Sequence, residues 1–144
     1  MNRTLAMLLL AATAAATAVH AQDATKSPAG ASVAIVEPAN GAEVASPVTV
    51  KFAITGMDLA PAGSDKPNSG HHHLLIDDTL ADPKAAIPAD DHHKHFGKAQ
   101  TEATIELKPG KHTLQLVLGD RNHIPHDPIV QSQVITITVK EPAP

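Results

Sequence analysis

Three groups of histidines are the residues of this sequence most suited to chemistry. They lie in the stretches "SGHHHLLIDD", "DDHHKHFGK" and "GDRNHIPHDP", and they comprise His71, His72, His73, His92, His93, His95, His123 and His126. Imidazole nitrogens bind Zn²⁺ or Cu²⁺ at about 2.0 Å. Because the chain has ten histidines and no cysteine, the predicted ion is Cu²⁺ or Zn²⁺ rather than Cu⁺, which prefers sulfur.

The first group divides into two sets if it lies on a β-strand. With Leu74 and Ile76 facing the core, strand alternation carries His72 inward and places His71 and His73 on the other face. A His-x-His pair on one strand can present two imidazoles to one ion. We therefore predict that His71 and His73 are metal ligands and that His72 is a hydrogen-bonded structural residue. The alternative is a solvated, polar strand start.

The second group repeats the His-x-His spacing at His93 and His95. Phe96 follows directly and could anchor this segment to the core, which makes both histidines candidate ligands. The alternative is a charged surface loop, because Asp90 and Lys94 are typical of solvated segments.

The third group places His123 and His126 in a loop that Pro125 stiffens, which lowers the entropy cost of holding two rings in place. Asp127 could accept a hydrogen bond from the second nitrogen of a ligating ring, and Asp120 is predicted to form the turn. The alternative is a plain connecting loop.

The elements that would position these groups are short strands with a two-residue hydrophobic period. Six stretches show it, namely Ser32–Val36, Pro47–Thr55, His71–Asp77, Thr101–Leu107, His112–Gly119 and Ser132–Val139, with room for a seventh near Val44 or Phe96. No comparable window shows a helical period. The pattern predicts an all-β, antiparallel, immunoglobulin-like β-sandwich of six to seven strands. Loops gather at the ends of such a sandwich, which could bring the histidines together.

His112 lies where a corner tyrosine of these folds bonds back to the backbone, so we predict a structural role for it.

Residues 1–21 have the sequence pattern of a targeting segment. Arg3 precedes an apolar run that is too short for a membrane span, and small residues surround a cleavage position after Ala21. The sequence therefore predicts a signal peptide at residues 1–21 and a periplasmic or secreted protein with no membrane span. A flexible leader at 22–31, one sandwich domain at 32–140 and a disordered tail at 141–144 would follow.

The composition excludes several function classes. The formal net charge of −4 argues against a nucleic-acid partner. Phe52 and Phe96 are the only aromatic residues besides histidine, so stacking platforms for bases or sugars are missing. With no cysteine and no serine in an elbow-like context, we predict no nucleophilic catalysis and assign no catalytic residue.

The motifs "GHHHLLID", "HKHFGKAQTE" and "LKPGKHTLQLVLGDRNHIPHDP" together resemble an uncharacterised bacterial exported family, the domain of unknown function four-three-nine-nine. The resemblance runs from about Glu37 to Val139. It implies a small all-β extracytoplasmic domain and brings no established activity. The family's motif histidines correspond here to His71, His72, His73, His93, His95, His112, His123 and His126, whereas His92 lies outside the pattern.

Three functions remain open on the sequence. The first is a periplasmic protein that holds Cu²⁺ or Zn²⁺ at one end of the sandwich, with metal binding that weakens as pH falls through about 6.5. The second is a non-catalytic, immunoglobulin-like envelope or interaction module in which the histidines form a structural cluster. The third is a small metalloenzyme such as a dismutase or hydrolase. It is the least favoured, because Glu102 and Asp127 are the only acid–base candidates and neither lies in a recognisable motif.

Overall fold

Nine β-strands make up the regular structure of the residues that the structure describes. The computed structural model describes residues 23–144, so the signal peptide predicted for residues 1–21 lies outside the described residues. The strands are β1 (Ser32–Glu37), β2 (Glu43–Val44), β3 (Val48–Thr55), β4 (Asp58–Leu59), β5 (Ser69–Ile76), β6 (His93–Phe96), β7 (Glu102–Ile105), β8 (Gly110–Gly119) and β9 (Ile135–Val139). The part of the chain that the structure describes contains no apolar helix of membrane-spanning length.

The strands form two sheets. The smaller sheet has the order β1-β3-β7, and the larger has the order β2-β9-β8-β5-β4, with β6 also paired to β5. Pairing is antiparallel except between β2 and β9 and between β4 and β5. The prediction of an all-β sandwich is confirmed.

The predicted strands correspond to β1, β3, β5, β7, β8 and β9, and both positions proposed for a seventh strand are strands, β2 and β6. β4 was not predicted, because two residues are too few to show a period.

Alternating apolar side chains from the two sheets form the main core. Val48, Val50 and Phe52 of β3 are buried against Ile137 and Val139 of β9 and other residues of one large cluster. The exposed residues between them on β3, such as Thr49 and Lys51, face away from this core. This is the two-residue period that the sequence shows.

β5 is the central strand, and both of its faces are covered. Leu74 and Ile76 belong to the main core, whereas Leu75 packs with Val117 and Ile87 in a second, smaller cluster. All eight residues of β5 are buried. Fully burying a leucine stabilises a fold by about 2 kcal/mol, so these apolar neighbours help β5 to hold three imidazoles out of water.

His112 joins β8 to the end of β5. Its ring donates hydrogen bonds to Asp77 Oδ2 (2.7 Å) and to the Lys108 carbonyl (2.8 Å), the backward bond expected at this corner. Burial alone lowers the pKa of His112, but these two bonds outweigh burial and raise it. Burial likewise raises the pKa of Asp77, and the bonds from His112 and from the Thr113 amide outweigh that effect and lower it. The structural role predicted for His112 fits these contacts.

The segment before β1, for which the sequence predicts a flexible leader, pairs with the loop between β8 and β9. Lys26 and Asp127 form a parallel β-bridge. The Asp127 amide donates to the Thr25 carbonyl (3.0 Å), and the Ser27 amide donates to the Asp127 carbonyl (3.1 Å).

Candidate metal centre

Four histidines from three parts of the chain meet on the side of the larger sheet that faces away from the main core. His71 and His73 come from β5, His95 comes from β6, and His123 comes from the loop after β8. One ring nitrogen of each lies within 4.8 Å of the corresponding nitrogen of every other. Within residues 23–144, this is the one group of potential ligands gathered so closely. The group could hold a metal ion.

Strand register brings three of the four rings together. His73 lies opposite His95 in the β5–β6 pair, so both side chains project from the same face. His71 lies two residues earlier on that face. The ring centroids of His73 and His95 are 5.1 Å apart, and those of His71 and His95 are 4.9 Å apart.

Two glycines make room for these rings. A Cβ atom on Gly119, which lies opposite His71 in the β5–β8 register, would stand 2.7 Å from His73 Nε2. A Cβ atom on Gly97 would stand 2.5 Å from His95 Cε1. Both distances are shorter than van der Waals contact, so any larger residue would displace a candidate ligand. Neither glycine was predicted from the sequence to matter for the site, although a glycine beside a histidine-rich strand is a usable signal of close approach.

The fourth ring is held by a strained backbone. His123 has a φ of +66°, in the left-handed region that few residues other than glycine adopt. Its amide donates to the Asp120 carbonyl (2.9 Å), and its own carbonyl accepts from the Ile87 amide (2.8 Å). The ring is thus placed before any ligand binds, which lowers the entropy cost of binding.

The ring nitrogens crowd one atom, His71 Nε2. It lies 3.0 Å from His123 Nδ1 and 3.0 Å from His73 Nε2. In a neutral imidazole, a nitrogen carries either a proton or a lone pair, so His71 Nε2 cannot donate to one neighbour and accept from the other. Two nitrogens on a tetrahedral ion with bonds of about 2.0 Å are about 3.3 Å apart. A shared cation would accept a lone pair from each of these nitrogens at a similar spacing.

Burial favours the neutral form of three of the rings. It lowers the pKa of His71 to about 4, with repulsion from His123 and His95 adding to the effect. Burial also lowers the pKa of His73 to about 2, followed by repulsion from His71. The pKa of His95 is lowered for the same reasons, burial and then His123. Since neutral imidazole is the form that binds metals, His71 and His73 stay competent to bind well below the pH of 6.5 expected from the sequence.

We expect the metal-free protein to lose stability as pH falls below about 6.5. The pKa values of His71 and His72 are about 4 in the folded state, and that of His73 is lower still, mainly through burial. The unfolded chain therefore takes up protons first, at about pH 6.5, and each of these histidines costs up to about 1.4 kcal/mol per pH unit until its folded pKa is reached.

Urea unfolding at pH 7, 6 and 5 measures this slope. Replacing His72 by leucine should make this slope shallower, because one of the buried histidines with a lowered pKa is removed. A free energy of unfolding that stays constant from pH 7 to 5 would contradict the prediction.

Solvent reaches the group from one side. His71 and His73 are each 1% exposed and form its floor, whereas His95 is exposed and His123 is half-buried. A metal ion would enter past His95.

Two of the predicted ligands lie outside the group. His93 faces Leu75 in the β5–β6 register and bonds to Asp90 Oδ1 (2.8 Å), with Asp78 Oδ2 at 3.6 Å from its other nitrogen. His126 is buried, with its ring nitrogens 3.3 Å from the Leu118 carbonyl oxygen and 3.2 Å from that of Ser69.

The residues predicted to support the ligands make only some of the contacts expected of them. His72 faces the core, as alternation predicts, with its ring 5.1 Å from that of Phe52. The expected hydrogen bonds are missing, because neither ring nitrogen has a partner among the described residues. Asp127 forms an ion pair with Lys26 rather than with a histidine. Asp120 forms the predicted turn, and its carboxylate accepts from the Asn122 amide at 2.8 Å.

Comparison with known proteins gives a family and no function. Residues 50–140 match the family model described as Domain of unknown function (DUF4399), so the chain belongs to this family. All four histidines of the group lie within the matched residues. The search of curated proteins found no match, and neither did the search of solved structures.

Proposed function

We propose that this member of the family is an exported protein that binds one Cu²⁺ or Zn²⁺ ion through His71, His73, His95 and His123. The observation that supports it best is the crowding at His71 Nε2, where two other ring nitrogens stand at 3.0 Å. Protons alone would make His71 Nε2 share one lone pair or one proton between both contacts, whereas one cation can accept a lone pair from each nitrogen.

The ligand chemistry favours a late first-row divalent ion. Four neutral imidazoles suit Zn²⁺ and Cu²⁺, and Cu²⁺ is the tighter binder to most nitrogen sites. The protein supplies a buried floor, a strained loop that presents His123, and an open side at His95. We place it in the periplasm or outside the cell, on the evidence of the apolar run that precedes Ala21.

Binding without catalysis fits the surroundings of the group. Of the two acid–base candidates, Glu102 lies on β7 in the other sheet, and Asp127 forms an ion pair with Lys26. The nearby Asp120 carboxylate is already engaged, with hydrogen bonds to both of its oxygens. Buffering, delivery or sensing of the ion would all use this arrangement.

Calorimetric titration of the purified, untagged protein with Cu²⁺ and with Zn²⁺ tests the proposal. We expect one ion per chain. Replacing His95 by alanine should weaken binding more than about 100-fold, because removing a ligand should cost at least as much as removing a supporting contact.

The matched control is His93→Ala, which removes a histidine from the same strand but outside the group. It should leave the affinity unchanged. If neither ion binds the wild-type protein, or if both variants weaken binding equally, the four-histidine site is wrong. Absence of binding would favour the second function, an interaction module with a structural histidine cluster.

A further inference from the structure

The loop that carries His123 is organised by one buried carboxylate. Asp120 is 2% exposed. Its Oδ1 accepts hydrogen bonds from the amides of Asn122 (2.8 Å) and Ile124 (3.0 Å), on either side of His123. The Asp120 amide in turn donates to the Ile124 carbonyl (2.9 Å), which closes the loop. The position of the His123 ring therefore follows the position of the Asp120 side chain.

The second oxygen of Asp120 is held by a residue from far away in the sequence. The Thr25 hydroxyl donates to Asp120 Oδ2 (2.7 Å). Thr25 is exposed. Among the residues that the structure describes, its side chain is the one that donates to this oxygen. Without this donor, a buried carboxylate would keep one oxygen unsatisfied, so the loop would have to shift toward water.

Thr25 belongs to a short segment, residues 25–27, which we call the strap. The other two residues of the strap fix Thr25 in place. Besides the backbone bonds to Asp127, the Ser27 hydroxyl donates to the Pro128 carbonyl (2.6 Å), and the Lys26 ammonium pairs with the Asp127 carboxylate. The strap thus holds the β8–β9 loop at two points, at Asp120 and at residues 127–128.

Asp120 also lies close to the ligands along the chain. It follows Gly119, which is paired with His71 and stands against the His73 ring. Its carboxylate is therefore well placed to balance part of the charge of a divalent cation held by four neutral rings, without being a ligand itself.

We propose that Asp120 is a positioning residue for the metal centre and that the strap, through the Thr25 hydroxyl, fixes it. Metal affinity then depends on a side chain that never touches the ion. This inference rests on the proposed function as far as the metal is concerned, but the hold of the strap on the loop can be tested without any metal.

The experiment compares Thr25→Val, which keeps the shape and removes the hydroxyl, with Thr25→Ser, which restores the hydroxyl. Thr49→Val is the matched control, because Thr49 is an exposed threonine on β3 of the other sheet. Three measurements are made on the protein that begins at residue 22, after the predicted cleavage. They are amide hydrogen exchange without metal, Cu²⁺ and Zn²⁺ affinity, and the electron paramagnetic resonance spectrum with Cu²⁺.

Thr25→Val should speed exchange of the Asn122 and Ile124 amides about tenfold or more, weaken metal binding roughly 10-fold to 100-fold, and change the Cu²⁺ spectrum. Thr25→Ser and Thr49→Val should match the wild type in all three.

If amide exchange in Thr25→Val is unchanged, the proposal that the strap holds the loop is wrong. Faster exchange with wild-type affinity and spectrum would overturn the positioning role. A wild-type protein that binds neither ion would instead overturn the proposed function, and the exchange result would still decide whether the strap holds the loop.

Discussion

Saturating Cu²⁺ or Zn²⁺ should raise the midpoint of thermal unfolding by about 10 °C. An ion at 100 times its dissociation constant stabilises the folded state by about 2.7 kcal/mol if the unfolded chain does not bind it. For a chain of this size, 1 kcal/mol corresponds to about 4 °C. The four ligands come from β5, from β6 and from the loop after β8, so the unfolded chain cannot present them together.

The double variant His71→Leu/His73→Leu should lose this rise altogether. Both rings are buried, and both contribute nitrogens to the crowded contact at 3.0 Å. Without metal, the variant should be at least as stable as the wild type. His73 Nδ1 has no partner among the described residues, and leucine is apolar and of similar size. The variant would thus separate metal binding from folding.

His92→Ala is the control, because His92 lies outside the group and its ring contacts the Ile76 carbonyl. It should keep the full rise in midpoint. A metal-dependent rise that persists in the double variant would mean that the ion binds elsewhere on the chain.

His72→Leu should stabilise the metal-free protein by about 1 to 3 kcal/mol. The ring is 1% exposed and contacts Phe52, and neither of its nitrogens has a hydrogen-bond partner among residues 23–144. Burial lowers the pKa of His72 to about 4, so the ring is neutral at pH 7 and carries an unsatisfied N–H and an unsatisfied lone pair. Leucine removes both.

Urea unfolding at pH 7 measures the change. The matched control is His112→Leu, which removes a ring whose two nitrogens are both bonded, to Asp77 and to the Lys108 carbonyl. That variant should be less stable than the wild type. Metal affinity should be unchanged in His72→Leu, because His72 faces away from the group. A loss of stability in His72→Leu would contradict the prediction.

The sandwich was predictable because its evidence is local. Alternation in "VTVKFAIT" and "ITITV" marks β3 and β9 without knowledge of their partners, since the two-residue period is a property of the strand itself. β2 and β4 have two residues each, and they pair in parallel with β9 and β5. Such short elements exist only because a longer neighbour offers hydrogen bonds, and a single sequence does not show that neighbour.

The sequence by itself determined the candidate ligand type, the division of the histidine run into two faces, and the class of fold. The tertiary structure alone decided which histidines meet. His93 and His95 share a face of β6, and only the β5–β6 register sets His95 against His73 and His93 against Leu75. Likewise, the path of one loop brings the His123 ring to the group and leaves His126 between two backbone carbonyls. Register and loop path depend on contacts between residues distant in sequence, whereas the face of a strand depends only on its neighbours along the chain.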